Sequence, residues 1–126
     1  MAIVNECIPH YEPGKRITGH AASAVTGKRF VKVAGARLPG QNIQIAPCGA
    51  GEPACGVASM DGAEDAKVTF YGSTFTVPVK AGASITAGQE VESDSTGQAI
   101  PLDTGKALGL AMNDADSGAD AEIKLY

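Results

Sequence analysis

A chain of 126 residues with a net charge of −4 is the size of one domain, or of two very small halves sharing a core. Its 44% hydrophobic content leans on 21 Ala, with only 25 Leu, Ile, Val and Phe together, so the core is thin and stability is expected to come partly from association or docking. There is no apolar run long enough to span a membrane and no basic-then-apolar leader, and the acidic balance argues against a nucleic-acid partner.

Residues 1–21 read as an extended N-terminal arm, with Pro9 and Pro13 and with Ile3, Ile8, Tyr11 and Ile17 spaced as in extended chain. Two readings stand: a frayed terminus, or an arm that orders on a partner, since Ile3, Val4, Ile8 and Tyr11 are apolar for a solvated tail. Basic residues gather early, in Lys15, Arg16, Lys28, Arg29, Lys32 and Arg37, which fits either a solvated face or a surface for an acidic partner.

Residues 22–126 read as a single β domain. "KRFVKV" (28–33), "AKVTFY" (66–71) and "STFTVPVK" (73–80) alternate apolar and polar residues, the period of a half-buried strand. In the last of these Phe75, Val77 and Val79 share one face, and Pro78 on the other marks an edge or bulge. "NIQIA", "QAIPL", "KALGLA" and "AEIKLY" are further short strands, separated by turn chemistry such as "LPGQ", "MDG" and "STGQ". No window carries a helical apolar stripe. The expectation is an all-β fold of seven to nine strands, a small barrel or sandwich.

The chain also repeats itself. "ASAVTGKRF" (22–30) is echoed by "ASITAGQEV" (83–91), "GQNI" (40–43) by "GQAI" (97–100), "GVA" (56–58) by "GLA" (109–111), Asp61 by Asp114, and "AKVTFY" (66–71) by "AEIKLY" (121–126). The same order in both halves implies an internal duplication, about 22–71 and 83–126. In this alignment Gly27 and Gly88 are each expected to take a positive-φ turn position.

Chemistry is sparse. A P-loop would need Gly where Ala22 stands and a hydroxyl where Arg29 stands. There is no Gly-x-Ser-x-Gly elbow, and the two histidines, His10 and His20, lie in the arm or at its junction. Cys7, Cys48 and Cys55 lack zinc spacing and read as reduced thiols, although "CGAGEPAC" (48–55) would close a disulfide loop in an oxidising place. Asp61, Glu64, Asp65, Asp114, Asp116 and Asp120 form acidic turns without calcium-loop spacing. "VPVKAGASITAGQEVE" has the rhythm of biotinyl and lipoyl domains, but no flanked lysine to modify. No catalytic residue, metal site or cofactor is expected.

The phrase "VKAGASITAGQEV" (79–91), followed by "GLAMNDADSGADAEIKLY" (109–126), on a Gly/Ala-rich chain of this length with an N-terminal arm, resembles the capsid decoration, or cement, proteins of tailed bacteriophages. The resemblance runs from about residue 20 to the end. It implies a non-enzymatic virion protein, made in the host cytoplasm, that binds the outer capsid surface. It would stabilise the mature shell as a homotrimer bridging copies of the major capsid protein, with no nucleic-acid or membrane partner. The capsid-binding arm would then use Ile3, Val4, Ile8 and Tyr11 as anchors and Lys15 and Arg16 against acidic shell surface. A non-viral β binding or carrier-like module is the alternative.

Overall fold

The computed structural model describes residue 5 and residues 16–126. Among them there is no helix. Ten strands run β1 (Ile17–Ala21), β2 (Phe30–Gly35), β3 (Ile43–Pro47), β4 (Gly56–Ala58), β5 (Lys67–Tyr71), β6 (Thr76–Lys80), β7 (Glu90–Ser93), β8 (Ala99–Pro101), β9 (Gly109–Ala111) and β10 (Asp120–Leu125). The sequence predicts seven to nine. The additional strand is β1, which falls in the stretch assigned to the arm. It forms because it pairs on both sides, antiparallel to β5 and parallel to β3, and because Gly19 lets Ile45 pack against its backbone: a Cβ there would lie 3.0 Å from Ile45 Cδ1.

The first five strands close into a barrel in the order β1-β3-β2-β4-β5, and the last five make a sheet in the order β6-β10-β9-β7-β8. The pairing schemes correspond strand for strand, down to a single parallel bridge, Ala81↔Ala99, where the barrel has its β1–β3 ladder. Hydrogen bonds fix the register. Val25 and Gly62 exchange both backbone bonds at 2.9 and 3.0 Å, as Ile85 and Ala115 do at 2.8 and 2.9 Å. The carboxylates of Asp61 and Asp114 accept from the N–H of Gly27 and Ala87, at 2.9 and 2.8 Å.

This register departs from the sequence alignment. Gly88 does take a positive φ, +87°, but its counterpart is Lys28 at +61°, one residue beyond Gly27. Ala66 answers Ala119, not Ala121, since these two accept from the N–H of Ala21 and Ala81. Only "GVA" against "GLA" and Asp61 against Asp114 hold as aligned. In Ala/Gly-rich text several slips match almost equally well, whereas a ladder tolerates only one.

Two cores result. Ala21, Val25, Val31, Ile45, Ala58, Val68 and Phe70 fill the barrel. Val77, Val79, Val91, Ala111, Ala121 and Ile123 line the second sheet, and their cluster also takes in Phe30, Cys48 and Val57 from the first half. The simple alternation read in "KRFVKV" therefore fails at its start. Phe30 and Val31 are both buried, on opposite faces, because β2 separates the two cores. Val77 and Val79 face inward and Pro78 outward on edge strand β6, as its sequence predicts.

The second sheet does not close on itself because the first half enters its seam. Lys80 donates its N–H to Lys28 O and Phe30 donates to Gly97 O, both at 2.8 Å, so residues 28–30 lie between the end of β6 and the start of β8. The Lys28–Asp120 ion pair (2.8 Å) and the bond from Arg29 Nη1 to Thr96 O (3.3 Å) reinforce the wedge. A second clasp is the buried Glu92, which accepts from Asp103 N–H at 2.5 Å, while Gly51 donates to Ser93 O and accepts from Lys106 N–H.

Candidate functional site

Of the residues singled out for partner binding, Ile3, Val4, Ile8, Tyr11 and Lys15 lie outside the described residues. Arg16 is exposed immediately before β1. The early basic cluster is not a uniform cationic face. Lys28 pairs with Asp120, Lys32 with Glu52 at 3.0 Å, and Arg29 is tied to the Thr96 carbonyl.

The acidic turns have structural roles. Asp61 and Asp114 each cap a turn through a backbone N–H, and Asp65 lies 3.2 Å from His20 Nε2. Lys28, by hydrogen bond and charge, holds the Asp120 carboxyl below the ordinary carboxylate range. Among the described residues no three His, Cys, Asp or Glu gather to hold a metal ion.

Cys48 and Cys55 are free thiols, Cys48 buried and Cys55 partly so. Desolvation pushes Cys55 from 9.0 to about 11, with its thiol donating toward Val31 O at 3.5 Å. A thiol so protonated is a poor nucleophile at neutral pH. It lines an apolar cleft of about 250 Å³ at the junction of the halves, beside Phe30, Leu108, Leu125 and Tyr126.

What remains is surface. Val33 (57% exposed), Leu38 (50%), Met60 (50%), Met112 (50%) and Tyr126 (54%) are large apolar side chains facing solvent. Val33 and Leu38 belong to the long β2–β3 hairpin, whose residues 33–41 are all exposed. In the second half Ser93 and Gly97, around the shorter β7–β8 turn, are buried. The sequence marks this hairpin only as a longer first-half connection. Which of its residues face solvent depends on the bulge between Val33 and Gly35, invisible before folding. Charge is unequal too: residues 16–71 hold six basic and four acidic side chains, and residues 72–126 hold three and eight.

No curated protein matches the chain. Among solved structures, the N base of the head fiber protein gp8.5 of bacteriophage phi29 is similar in fold, with a TM-score of 0.73 at 22% identity, covering 89% of this chain and 93% of that one. The profile of the phage cement protein family matches residues 11–125, and the chain belongs to that family.

Proposed function

We propose that this capsid-associated structural protein binds the outer surface of a mature phage shell as a homotrimer and staples neighbouring copies of the major capsid protein. The family match across residues 11–125 carries the reading. The thin core and exposed apolar side chains support it, since both leave surface for partners to cover. The mechanism is mass action. A ligand that binds only the assembled lattice stabilises it by RT ln(1 + [L]/Kd) per site, and contact with several subunits adds avidity.

The anchor in this reading is the N-terminal arm, with Ile3, Val4, Ile8 and Tyr11 as apolar contacts and Lys15 and Arg16 as cations. The two halves, about 22–71 and 83–126, are read as one duplicated unit that supplies the rigid body. The reading needs no catalytic residue, cofactor, nucleic acid or membrane. Deleting residues 2–16 tests it. The truncated protein should stay folded and cease to co-sediment with purified shells; undiminished binding would remove the arm from the account.

A further inference from the structure

Within one chain, the second half docks onto a defined face of the first. That face is the row Phe30–Val57–Tyr71 across β2, β4 and β5, paired in register. Phe30 and Val57 are 1% exposed, and Tyr71 packs its ring 5.0 Å from Phe75. The β7–β8 turn meets this row at its Phe30 end, while Val57 packs among second-half core residues such as Val77 and Val79. Phe30 N–H bonds Gly97 O, and a Cβ on Gly97 would stand 2.9 Å from Phe30 O, so the two backbones are in contact.

The same two parts recur, open, at the other end of the correspondence. The row equivalent to Phe30–Val57–Tyr71 is Glu90–Leu110–Lys124, paired identically across β7, β9 and β10. Glu90 and Lys124 are exposed and Leu110 is half-buried, with Met112 and Tyr126 open beside them and Tyr126 Oη donating to Glu90 at 2.8 Å. The element equivalent to the β7–β8 turn is the β2–β3 hairpin, exposed along residues 33–41. A single chain thus carries an uncovered face and an uncovered hairpin whose counterparts touch, at Phe30 and Gly97, inside the chain.

We propose that copies of this chain join head to tail by repeating that interface: the β2–β3 hairpin of one copy, through Val33 and Leu38, seats on the Glu90–Leu110–Lys124 face of the next. The charges agree. The hairpin belongs to the half with excess base and the face to the half with excess acid, with Glu90 and Glu122 exposed on it. The face carries Glu90 and Lys124 where the first half has the aromatics Phe30 and Tyr71. The joint between copies is therefore the more polar and more reversible of the two. An interface of this kind is heterologous, so it closes into a ring or runs on as a filament. The ring of three copies, six halves around, is the homotrimer proposed above, and the assignment rests on the reading that copies associate.

Sedimentation velocity on the full chain tests it, with Leu38→Asp as a hairpin variant and Met112→Asp as a face variant. Both residues are half exposed, so neither change should disturb folding, which circular dichroism checks. Wild type should assemble, and each variant alone should sediment as a monomer, its self-association weakened at least about 30-fold, as expected of an interface hot spot. An equimolar mixture should stop at a 1:1 dimer, because only one productive hairpin-face pair remains. Variants that assemble as wild type does, or a mixture that yields full rings, would overturn the head-to-tail assignment and leave the trimer reading intact. Wild type that stays monomeric at all concentrations while still binding shells would overturn both the assignment and the trimer, leaving shell binding itself untouched.

Discussion

Replacing Phe30 by alanine removes the largest buried side chain that the first half lends to the second core. Phe30 is 1% exposed and clusters with the second-half core residues, while its neighbour Val31 faces the barrel interior. Truncating a buried phenylalanine costs about 3–5 kcal/mol, combining lost transfer free energy with the cavity left behind. At roughly 4 °C per kcal/mol for a domain of this size, the melting temperature should fall by about 12–20 °C. The distribution of the loss is more diagnostic than its size. Hydrogen exchange should show protection lost across β6–β10, whose seam the wedge fills, while β1–β5, with their own closed ladder and core, keep most of theirs. Ile45→Ala, inside the barrel, should cost about 2–5 kcal/mol with the opposite regional pattern. Equal loss across both halves in Phe30→Ala, or loss confined to the barrel, would refute the wedge.

Three further outcomes follow from single residues. Gly88→Ala should cost about 1–2 kcal/mol by chemical denaturation, because φ is +87° there although nothing lies within 4 Å of the new Cβ; no change would mean that the turn relaxes freely. Cys55, held at about 11, should react with a maleimide or disulfide reagent at pH 8 about a hundredfold more slowly than in unfolded protein, and modification at the unfolded rate would contradict its burial. Because the folded state disfavours that thiolate, its contribution to stability is full below the unfolded value near 9 and is lost as pH rises from there toward 11. Asp120 works in the opposite direction. Lys28, with a smaller effect from Lys80, depresses its pKa, so its contribution is present above the unfolded value and lost as pH falls through the folded one, and Lys28→Met should weaken that acid-side dependence in a pH titration of stability.

Fold class was legible in the sequence because alternation and turn residues are local. Val77 and Val79 went inward and Pro78 to an edge, as their spacing requires. The correspondence of the halves was legible as order but not as register. Lys28 supplies at φ +61° what Gly88 supplies at +87°, and a lysine in a left-handed conformation carries no composition signal. β1 was hidden because its stability comes from β3 and β5, both distant in sequence. The wedge was hidden for a related reason: adjacent buried residues such as Phe30 and Val31 break alternation only when a strand separates two cores. Glu92, an acid in the interior, has no local pattern at all; its carboxylate accepts from the Asp103 N–H, and Gly105 leaves it room, since a Cβ there would collide with it. The exposed hairpin was visible only as extra length, since exposure is decided by what else packs nearby.

The central claim, that this chain fastens itself to a phage shell, is tested most directly by co-sedimenting the full-length protein with mature shells of its major capsid protein and counting bound copies. Binding should saturate at a fixed ratio to capsid subunits, in multiples of three per site, and loaded shells should survive heat or osmotic shock that breaks bare ones. Protein that stays in the supernatant, or that binds without a fixed ratio and without stabilising the shell, would contradict it.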